Sequence, residues 1–532
     1  MSLIRNGVKE MTCTTSKWVA VTLTLVLVFT CAVSMAATPT PSVAVVTRDM
    51  APLRAAPSAS AARSSVLWRG ELLEVRGFRG DYAQVWDHHR ERGGFVLREQ
   101  LHPIQTAAAD VPGLQALLAF VSDQPGAETL GLALAAAVIQ ALPPQDLQGP
   151  AEAAVLDAIG RQAERLAERA SQGAGERSSQ QTTLTAHLDI AARHGVRYLS
   201  VAAGDAVVLC YEGAAYRRLL ASRHATPDQR ARAALSLTRP DCVAEPLRPA
   251  EREALDQQRD AVLAQLGTEG LSPHWAARLK VRQAEVLSRL AFAAARRGDA
   301  SGANAAARLA LDALASASLD DLSEADQRDH REAALRTNAV RWAAIPSSTT
   351  VPADLPLTVH AQADGQTCVR LHEEPRADLP AKKRPDGTAA MKLVNDSPRK
   401  TLAERCTWGQ VWAASAQRNR ERNAIVLAVQ PIDGWRELWV FRQTRQGWEV
   451  LVQPPAALLP GVGFAEFAGW VPGGKSMLMA REAMAEGRTI RRFEVVRLDT
   501  LTPERIAFRP DALGAFNRWA DTGWKRLSLA LR

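Results

Sequence analysis

The chain has 532 residues, of which 47% are hydrophobic and 23% charged; these proportions exclude a disordered or collagen-like polymer and leave room for about three domains. Its formal net charge of +8 is a mild excess for this length, and no dense Lys/Arg run interleaved with aromatics occurs, which argues against a nucleic-acid binder. Such a balance favours anionic surfaces such as cell-wall polymer or lipid headgroups.

At the start of the chain, Arg5, Lys9 and Lys17 precede the apolar run WVAVTLTLVLVFTCAVSMAA, and no charged residue occurs between Lys17 and Arg48. A basic start, an apolar core and a small-residue end are the three parts of a secretory signal peptide. Ser34-Met35-Ala36 places small residues at both positions a signal peptidase reads. The pattern predicts a signal peptide over residues 1–36 and a periplasmic or secreted protein. The alternative is an uncleaved anchor over residues 18–37 facing the periplasm, so that membrane contact comes only through the presequence. Removing residues 1–36 takes away Arg5, Lys9, Lys17 and Glu10, and the net charge falls from +8 to +6.

Of the six cysteines, Cys13 and Cys31 fall in the presequence, leaving Cys210, Cys242, Cys368 and Cys406. An even number in an exported chain invites disulfides, and four cysteines allow three pairings. Cys210–Cys242 and Cys368–Cys406 are the expected pairs, because each lies within one proposed domain. Their separations of 32 and 38 residues correspond to about 3–4 kcal/mol each from loop closure. There is no CxxC, and no histidine stands at ligand spacing from any of the four, so neither a metal nor another cofactor is expected.

Past a short PTPS linker, residues 43–104 read as a compact β domain, with SVLWRG, ELLEVRG, YAQVWD and GGFVLREQL as strands or strand–turn units. Gly70, Gly77, Gly80, Gly93 and Gly94 are expected at its turns. Leu53-Arg54 followed by Pro57, with small residues Ser58 to Ala62 behind, opens the segment. Val66-Leu67 then Arg69-Gly70, Leu72 to Val75 with Gly77, Tyr82 with Val85, and Gly94-Phe95-Val96 then Leu101 follow in order. In order and spacing these elements resemble a bacterial SH3-like (SH3b) domain, with Tyr82 and Phe95 standing where that family usually carries Trp. The resemblance covers about sixty residues and implies a small SH3-like β-barrel that binds peptide or cell-wall polymer, with Tyr82, Trp86 and Phe95 as groove aromatics.

Residues 110–345 are rich in Ala, Leu and Arg and read as an all-α helical domain. Leu114, Leu117, Leu118 and Val121 have helical spacing, as do Val155, Ile159 and Leu166, while Trp275, Leu279, Val286 and Leu290 predict one buried stripe. Thr226-Pro227 and Ser272-Pro273 read as N-cap and N1 pairs. Gly298-Asp299 ends one helix, and Ala303, Ala307 and Ala310 line the next; that hairpin resembles a single tetratricopeptide unit, without a 34-residue period. Within the region VRYLSVAAGDAVVLCYEG alternates around Gly-Asp and predicts a small inserted hairpin tied down through Cys210. Residues 171–181 (SQGAGERSSQQ) read as a mobile loop.

Residues 346–356 read as a second linker, and 357–532 as an antiparallel β domain with blade-like hairpins and short turns such as Asp433-Gly434. Eight of the thirteen tryptophans lie here. Trp408 with Trp412, and Trp435 with Trp439, are candidates for a sugar-stacking platform against the alternative of core packing. Arg481, Arg488, Arg491, Arg492 and Arg497 are candidates for an anion-binding face against a solvated, edge-protecting one.

One stretch of this domain, GWVPGGKS from Gly469 to Ser476, has the literal spacing of a nucleotide-binding P-loop. Pro472 lacks an N–H for the phosphate cradle, and only 58 residues follow Gly474, too few for the parallel sheet such a loop needs. Trp470, Pro472, Gly474 and Lys475 instead resemble the turn that opens a TolB-type propeller blade, with Val471 and Gly473 departing from it. The expectation is a hairpin turn with a strand at SMLMARE, although SMLMAREAMAE is helix-prone by residue type.

No HExxH, GxSxG or CxxC appears. The chain therefore reads as a multidomain α+β envelope protein, more a binding or scaffold protein than an enzyme, with peptidoglycan or an envelope protein as partner and no nucleic acid. The alternatives are a cell-wall hydrolase whose active site carries no familiar motif, and a pure protein-interaction adaptor.

Overall fold

A computed structural model describes residues 42–172, 178–203, 206–243, 246–374 and 400–527; the signal-peptide reading over 1–36 lies outside them. The described chain has an N-terminal antiparallel sheet, a central helical region and a C-terminal region of antiparallel and mixed sheet.

In the N-terminal region β1 (Ser42–Val46), β2 (Ala51–Arg54), β3 (Arg63–Leu67), β4 (Leu72–Arg79), β5 (Tyr82–Asp87), β6 (Arg92–Leu97) and β7 (Leu101–Ile104) form one sheet in the order β3-β2-β6-β5-β4-β1-β7. Alternation sends Leu53, Leu67, Leu73, Ala83, Val85 and Val96 inward to a core of their own. Gly70 and Gly80 occupy turns with positive φ, as expected. Gly77, Gly93 and Gly94 do not: Gly77 sits at a register shift inside β4, and the other two lie within β6. Crowding explains the pair, since a Cβ on Gly93 would lie 3.2 Å from the Trp86 ring and one on Gly94 would lie 2.6 Å from Leu53.

The helical region comprises α1 (Val111–Ser122), α2 (Glu128–Ala141), α3 (Pro150–Gln172), α4 (Ser178–Arg193), the hairpin β8 (Tyr198–Ala203) and β9 (Ala206–Tyr211), then α5 (Ala214–Ala221), α6 (Pro227–Leu237), α7 (Pro249–Ala264), α8 (Pro273–Arg296), α9 (Ala300–Ala315) and α10 (Glu324–Val340). The inserted hairpin means that the region is not all-α. Its Cys210 is paired with Cys242. Of the expected loop over 171–181, residues 171–172 end α3 and 178–181 begin α4, while 173–177 lie outside the described residues. Thr226 and Gln229 form a reciprocal capping box ahead of Pro227, and Ser272-Pro273 open α8 in the same positions. On α8, Leu279 and Val286 are buried against Leu263 and Ala234. Trp275 is only half-buried, flanked by the Arg232 and Arg278 guanidinium groups at 5.0 and 4.8 Å from its ring centroid. Ala303 and Ala307 of α9 meet Ala291 and Ala294 of α8, small residues that let the two helices close.

In the C-terminal region β10 (Leu357–Ala361), β11 (Thr367–His372) and β12 (Thr401–Thr407) form a three-stranded sheet. The larger sheet contains β13 (Gln410–Arg418), β14 (Ala424–Ile432), β15 (Trp435–Thr444), β16 (Gly447–Gln453), β17 (Gly463–Val471), β18 (Ser476–Ala485), β19 (Arg488–Arg497) and β20 (Pro503–Ala507). Its order is β13-β14-β15-β17-β18-β19-β20, with β16 beside β15. The expected all-antiparallel pairing fails at one place: β15 and β17 run parallel, Trp435 opposite Gly463, because β16 returns along β15 before the chain re-enters the sheet. Helices α11 (Gly514–Trp519) and α12 (Thr522–Leu527) cover one face through Phe516 and Trp524 against Phe493. The small sheet covers part of the opposite face, with Val369 and Leu371 against Ile425, Leu427 and Phe441. Nor is 346–356 a free linker: Ser348 is buried and its carbonyl accepts from Ala414 N at 3.1 Å, while Val351 and Leu355 pack into that same core.

Two interfaces hold the regions together. At the first, Val45 and Ile104 join the core of α1 and α2, and His187 of α4 bridges Asp49 (Nε2 to Oδ1, 2.7 Å) and Arg169 (Nδ1 to Nη2, 2.8 Å). Arg69 donates to the Gly126 carbonyl and accepts from Thr129 through its own carbonyl, at 2.9 and 2.7 Å. Gly70 is needed beside it, because its φ is 90° and a Cβ would come within 2.5 Å of the Thr129 carbonyl oxygen. At the second, Trp412 and Ala428 pack among Ala291, Ala307, Val340 and Ala343. Next to them Glu466 is held between Arg436 (3.2 Å) and Arg341, and Arg436 also donates to the Asn338 carbonyl at 2.5 Å.

Among the described residues no helix is long and apolar enough to cross a membrane. The cysteine pairs Cys210–Cys242 and Cys368–Cys406 stand at bonding distance, an arrangement compatible with an extracytoplasmic location.

Candidate functional site

The strand register decides where the three candidate aromatics fall. Tyr82, Gln84 and Trp86 alternate along β5 with the core-facing Ala83 and Val85, and Phe95 stands directly opposite Gln84 on β6. Directly opposed residues share a face, so Tyr82, Trp86 and Phe95 lie on the same outer face around Gln84. They are not equally available: Tyr82 is 9% exposed, whereas Trp86 and Phe95 are half-buried and Gln84 is exposed. Trp86 lies over Gly93, opposite it in the ladder, and the Arg76 guanidinium stacks 4.5 Å from its ring centroid. Glu74 holds Arg76 in place at 3.0 and 3.2 Å and also bonds His88 at 2.7 Å. Hydrogen bonding to Arg76, then to His88, keeps the Glu74 carboxyl below its ordinary range. The result is an aromatic patch with a fixed cation at its rim, suited to stacking against planar or apolar groups and to holding an anionic one.

A second concavity of about 810 Å³ opens between α7, α8 and the Asp433-Gly434 turn of β14–β15. The turn was expected; its docking was not. Asp433 accepts from Arg336 of α10 at 2.8 Å. Asp256, on the wall, is raised by burial against the opposing pull of Arg289 and Arg259, and Arg289 bonds Glu285 at 2.9 Å. Phe292 and Ile432 supply apolar surface. Among the described residues its walls are arginines, carboxylates engaged by arginine and apolar side chains, which offer charge and apolar contact for binding.

The other sequence candidates are dispersed. Trp408 is 55% exposed in the turn between β12 and β13, whereas Trp412 is 1% exposed beneath α8 and α9; they share no face, because the turn at Trp408-Gly409 separates what reads as one strand. Trp435 and Trp439 are both buried. The five arginines fall on both faces of the sheet. Arg481 stands opposite Arg492, and Arg491 opposite Glu482 on the other face. Arg481 pairs with Glu494, Arg491 with Glu482 and Arg497 with Asp499.

Pro472 to Lys475 form the turn between β17 and β18, with Val471 opposite Ser476. Gly473 N donates to the Glu421 carboxylate at 3.1 Å, and a Cβ on Gly474 would meet the same side chain at 2.8 Å. A carboxylate thus occupies the place where a phosphate cradle would need an anion, and Ser476 begins a strand rather than a helix.

Sequence spacing missed one grouping. His360 of β10, Cys368 of β11 and Glu404 of β12 bring ligand-type atoms within 4.8 Å of one another. His360 and Cys368 are far apart in helical or loop terms but directly opposite across a hairpin, a relation only the register reveals. No family model, characterised protein or solved structure matches the chain, so functional inference rests on this geometry.

Proposed function

We propose that the chain is an exported cell-envelope protein that binds and scaffolds rather than catalyses, with residues 43–104 as an SH3-like module for peptide or cell-wall polymer. The observation that carries this reading is the pair of half-exposed rings Trp86 and Phe95 on the outer face that the buried Tyr82 shares, backed by Arg76. Exposed aromatic faces bind sugar rings and peptide side chains through stacking, and a neighbouring cation adds attraction for anionic wall polymer. Support also comes from the hydrogen-bonded docking of this sheet on α2 and α4, which gives the patch a fixed orientation on a helical scaffold.

Purified sacculi provide the test. The chain lacking residues 1–36 should sediment with them at low salt, and Trp86→Ala should abolish retention while changing stability by no more than about 1 kcal/mol, as expected for a half-exposed side chain. Absence of retention at low salt would sink the proposal. Release of soluble wall fragments would favour the hydrolase instead.

A further inference from the structure

We infer that the Cys368–Cys406 disulfide closes a latent metal site: on reduction, the two cysteine thiolates, His360 and Glu404 hold one divalent ion of the zinc class. His360 stands opposite Cys368 in β10–β11, and Cys368 stands opposite Cys406 in β11–β12. These three residues form a row across the sheet on one face. Glu404, two residues before Cys406, shares that face by strand alternation. The His360 Nε2 and Glu404 Oε1 atoms are 3.7 Å apart. Two thiolates, an imidazole and a carboxylate are a donor set suited to tetrahedral zinc.

The site does not depend on the S–S bond for its shape. Thr367 pairs with Thr407 on one side of the cysteines and Val369 with Arg405 on the other, so the ladder holds the two strands after reduction. The cysteine Cα atoms are 4.0 Å apart. Two zinc–sulfur bonds of about 2.3 Å at a tetrahedral angle require sulfurs about 3.7 Å apart, a small opening from the bonded state.

Independent observations point to a ligand. His360 Nε2 is buried without a hydrogen-bond partner. Gln362 Nε2 donates to Cys368 Sγ at 2.7 Å and approaches Cys406 Sγ at 3.7 Å, and Arg370 Nε donates to Glu404 Oε1 at 2.8 Å. Donors to the sulfurs and to the carboxylate are what an outer shell supplies to orient metal ligands.

The chemistry balances with a dithiol reductant. It gives two electrons and two protons to the S–S bond and becomes a disulfide itself; the two new thiols lose their protons as the two sulfur–metal bonds form.

The test uses the chain reduced with a water-soluble phosphine, which is oxidised to its oxide, and titrated with Co(II) and then Zn(II). The oxidised chain should take up no cobalt. The reduced chain should bind one equivalent with the absorption of a tetrahedral cobalt thiolate, and zinc should displace it. Gln362→Ala should weaken binding about 10- to 100-fold, His360→Ala should weaken it at least as much and change the spectrum, and the Cys210→Ser/Cys242→Ser double variant should bind as the parent does. Cobalt bound by His360→Ala with unchanged affinity and spectrum would overturn the inference. So would uptake that requires Cys210 and Cys242, a reduced chain that stays folded without binding, or loss of the β-sheet circular-dichroism signal on reduction.

Discussion

The two interfaces that flank the helical region are built on opposite electrostatic plans. The N-terminal sheet docks through Asp49, hydrogen-bonded to His187, and through His194 against the Gly70 backbone. The C-terminal sheet docks through an Arg436–Glu466–Arg341 cluster almost without solvent contact. Burial, followed for Arg436 by the neighbouring Arg341, pulls both guanidiniums down, Arg341 to about 10, while an arginine in a folded protein keeps its proton at neutral pH as a rule. The same helical body thus presents one joint built on a carboxylate–imidazole pair and one built on buried guanidiniums around a carboxylate. In the second joint two cations share a single anion and depend on it heavily.

The comparison breaks most sharply at Glu466. Glu466→Gln leaves two buried guanidiniums without a counter-charge and should cost about 3–5 kcal/mol in denaturant titrations. A loss below about 1 kcal/mol would mean that backbone carbonyls such as that of Asn338 suffice for the arginines. Next in size, the Cys210→Ser/Cys242→Ser double variant should lose about 3–4 kcal/mol and release the β8–β9 hairpin, read as faster hydrogen exchange over 198–211. At the carboxylate–imidazole joint, His187→Ala removes one partner each from Asp49 and Arg169, which keep Arg69 and Glu128, and should cost about 1–3 kcal/mol, with increased exchange in β1–β7 and none in β13–β20.

The smallest effect is pH dependence, and its sign is fixed. Burial lowers His194 from 6.5, against a hydrogen bond to the Gly70 backbone. Burial would raise Asp49, but His187 and Arg69 hold it below 3.8. Both groups bind fewer protons folded than unfolded, so both stabilise the fold more as pH rises. The His194 contribution is complete above about pH 6.5 and declines as pH falls through its lowered value; that of Asp49 fades only below about pH 3.8. Protection of β1–β7 against hydrogen exchange, with the intrinsic pH dependence divided out, should therefore fall between pH 7.5 and 5 while the Arg436 joint stays unchanged. Equal loosening of both joints would erase the distinction.

Residue chemistry made some features legible before any coordinates. The Thr226 and Ser272 helix starts, the inserted hairpin around Cys210 and the Asp433-Gly434 turn are local, set by short-range spacing and turn preference, whereas the cysteine pairs, 32 and 38 residues apart, follow only from each pair lying within one region. SMLMAREAMA shows where local reasoning weakens: its Met, Ala and Glu favour helix, yet it forms β18, covered on both faces by Met477 and Met479 on one side and Leu478 and Ala480 on the other. A strand buried on both faces loses the alternation that would announce it. Of the two readings of the tryptophan pairs, core packing holds for Trp412, Trp435 and Trp439, and the platform fails for a related reason, since spacing along one strand cannot reveal a turn at Trp408-Gly409 or a helix lying over Trp412.

By itself the sequence determined the order of the three regions and the dismissal of GWVPGGKS as a phosphate loop, because each follows from composition or from contacts close along the chain. Tertiary structure alone decided that Tyr82, Trp86 and Phe95 share a face, that His360 meets Cys368 and Glu404, and that Glu466 lies between two arginines. These relations depend on strand register and on docking between distant segments. A shift of one residue in pairing would turn each of those side chains to the opposite face.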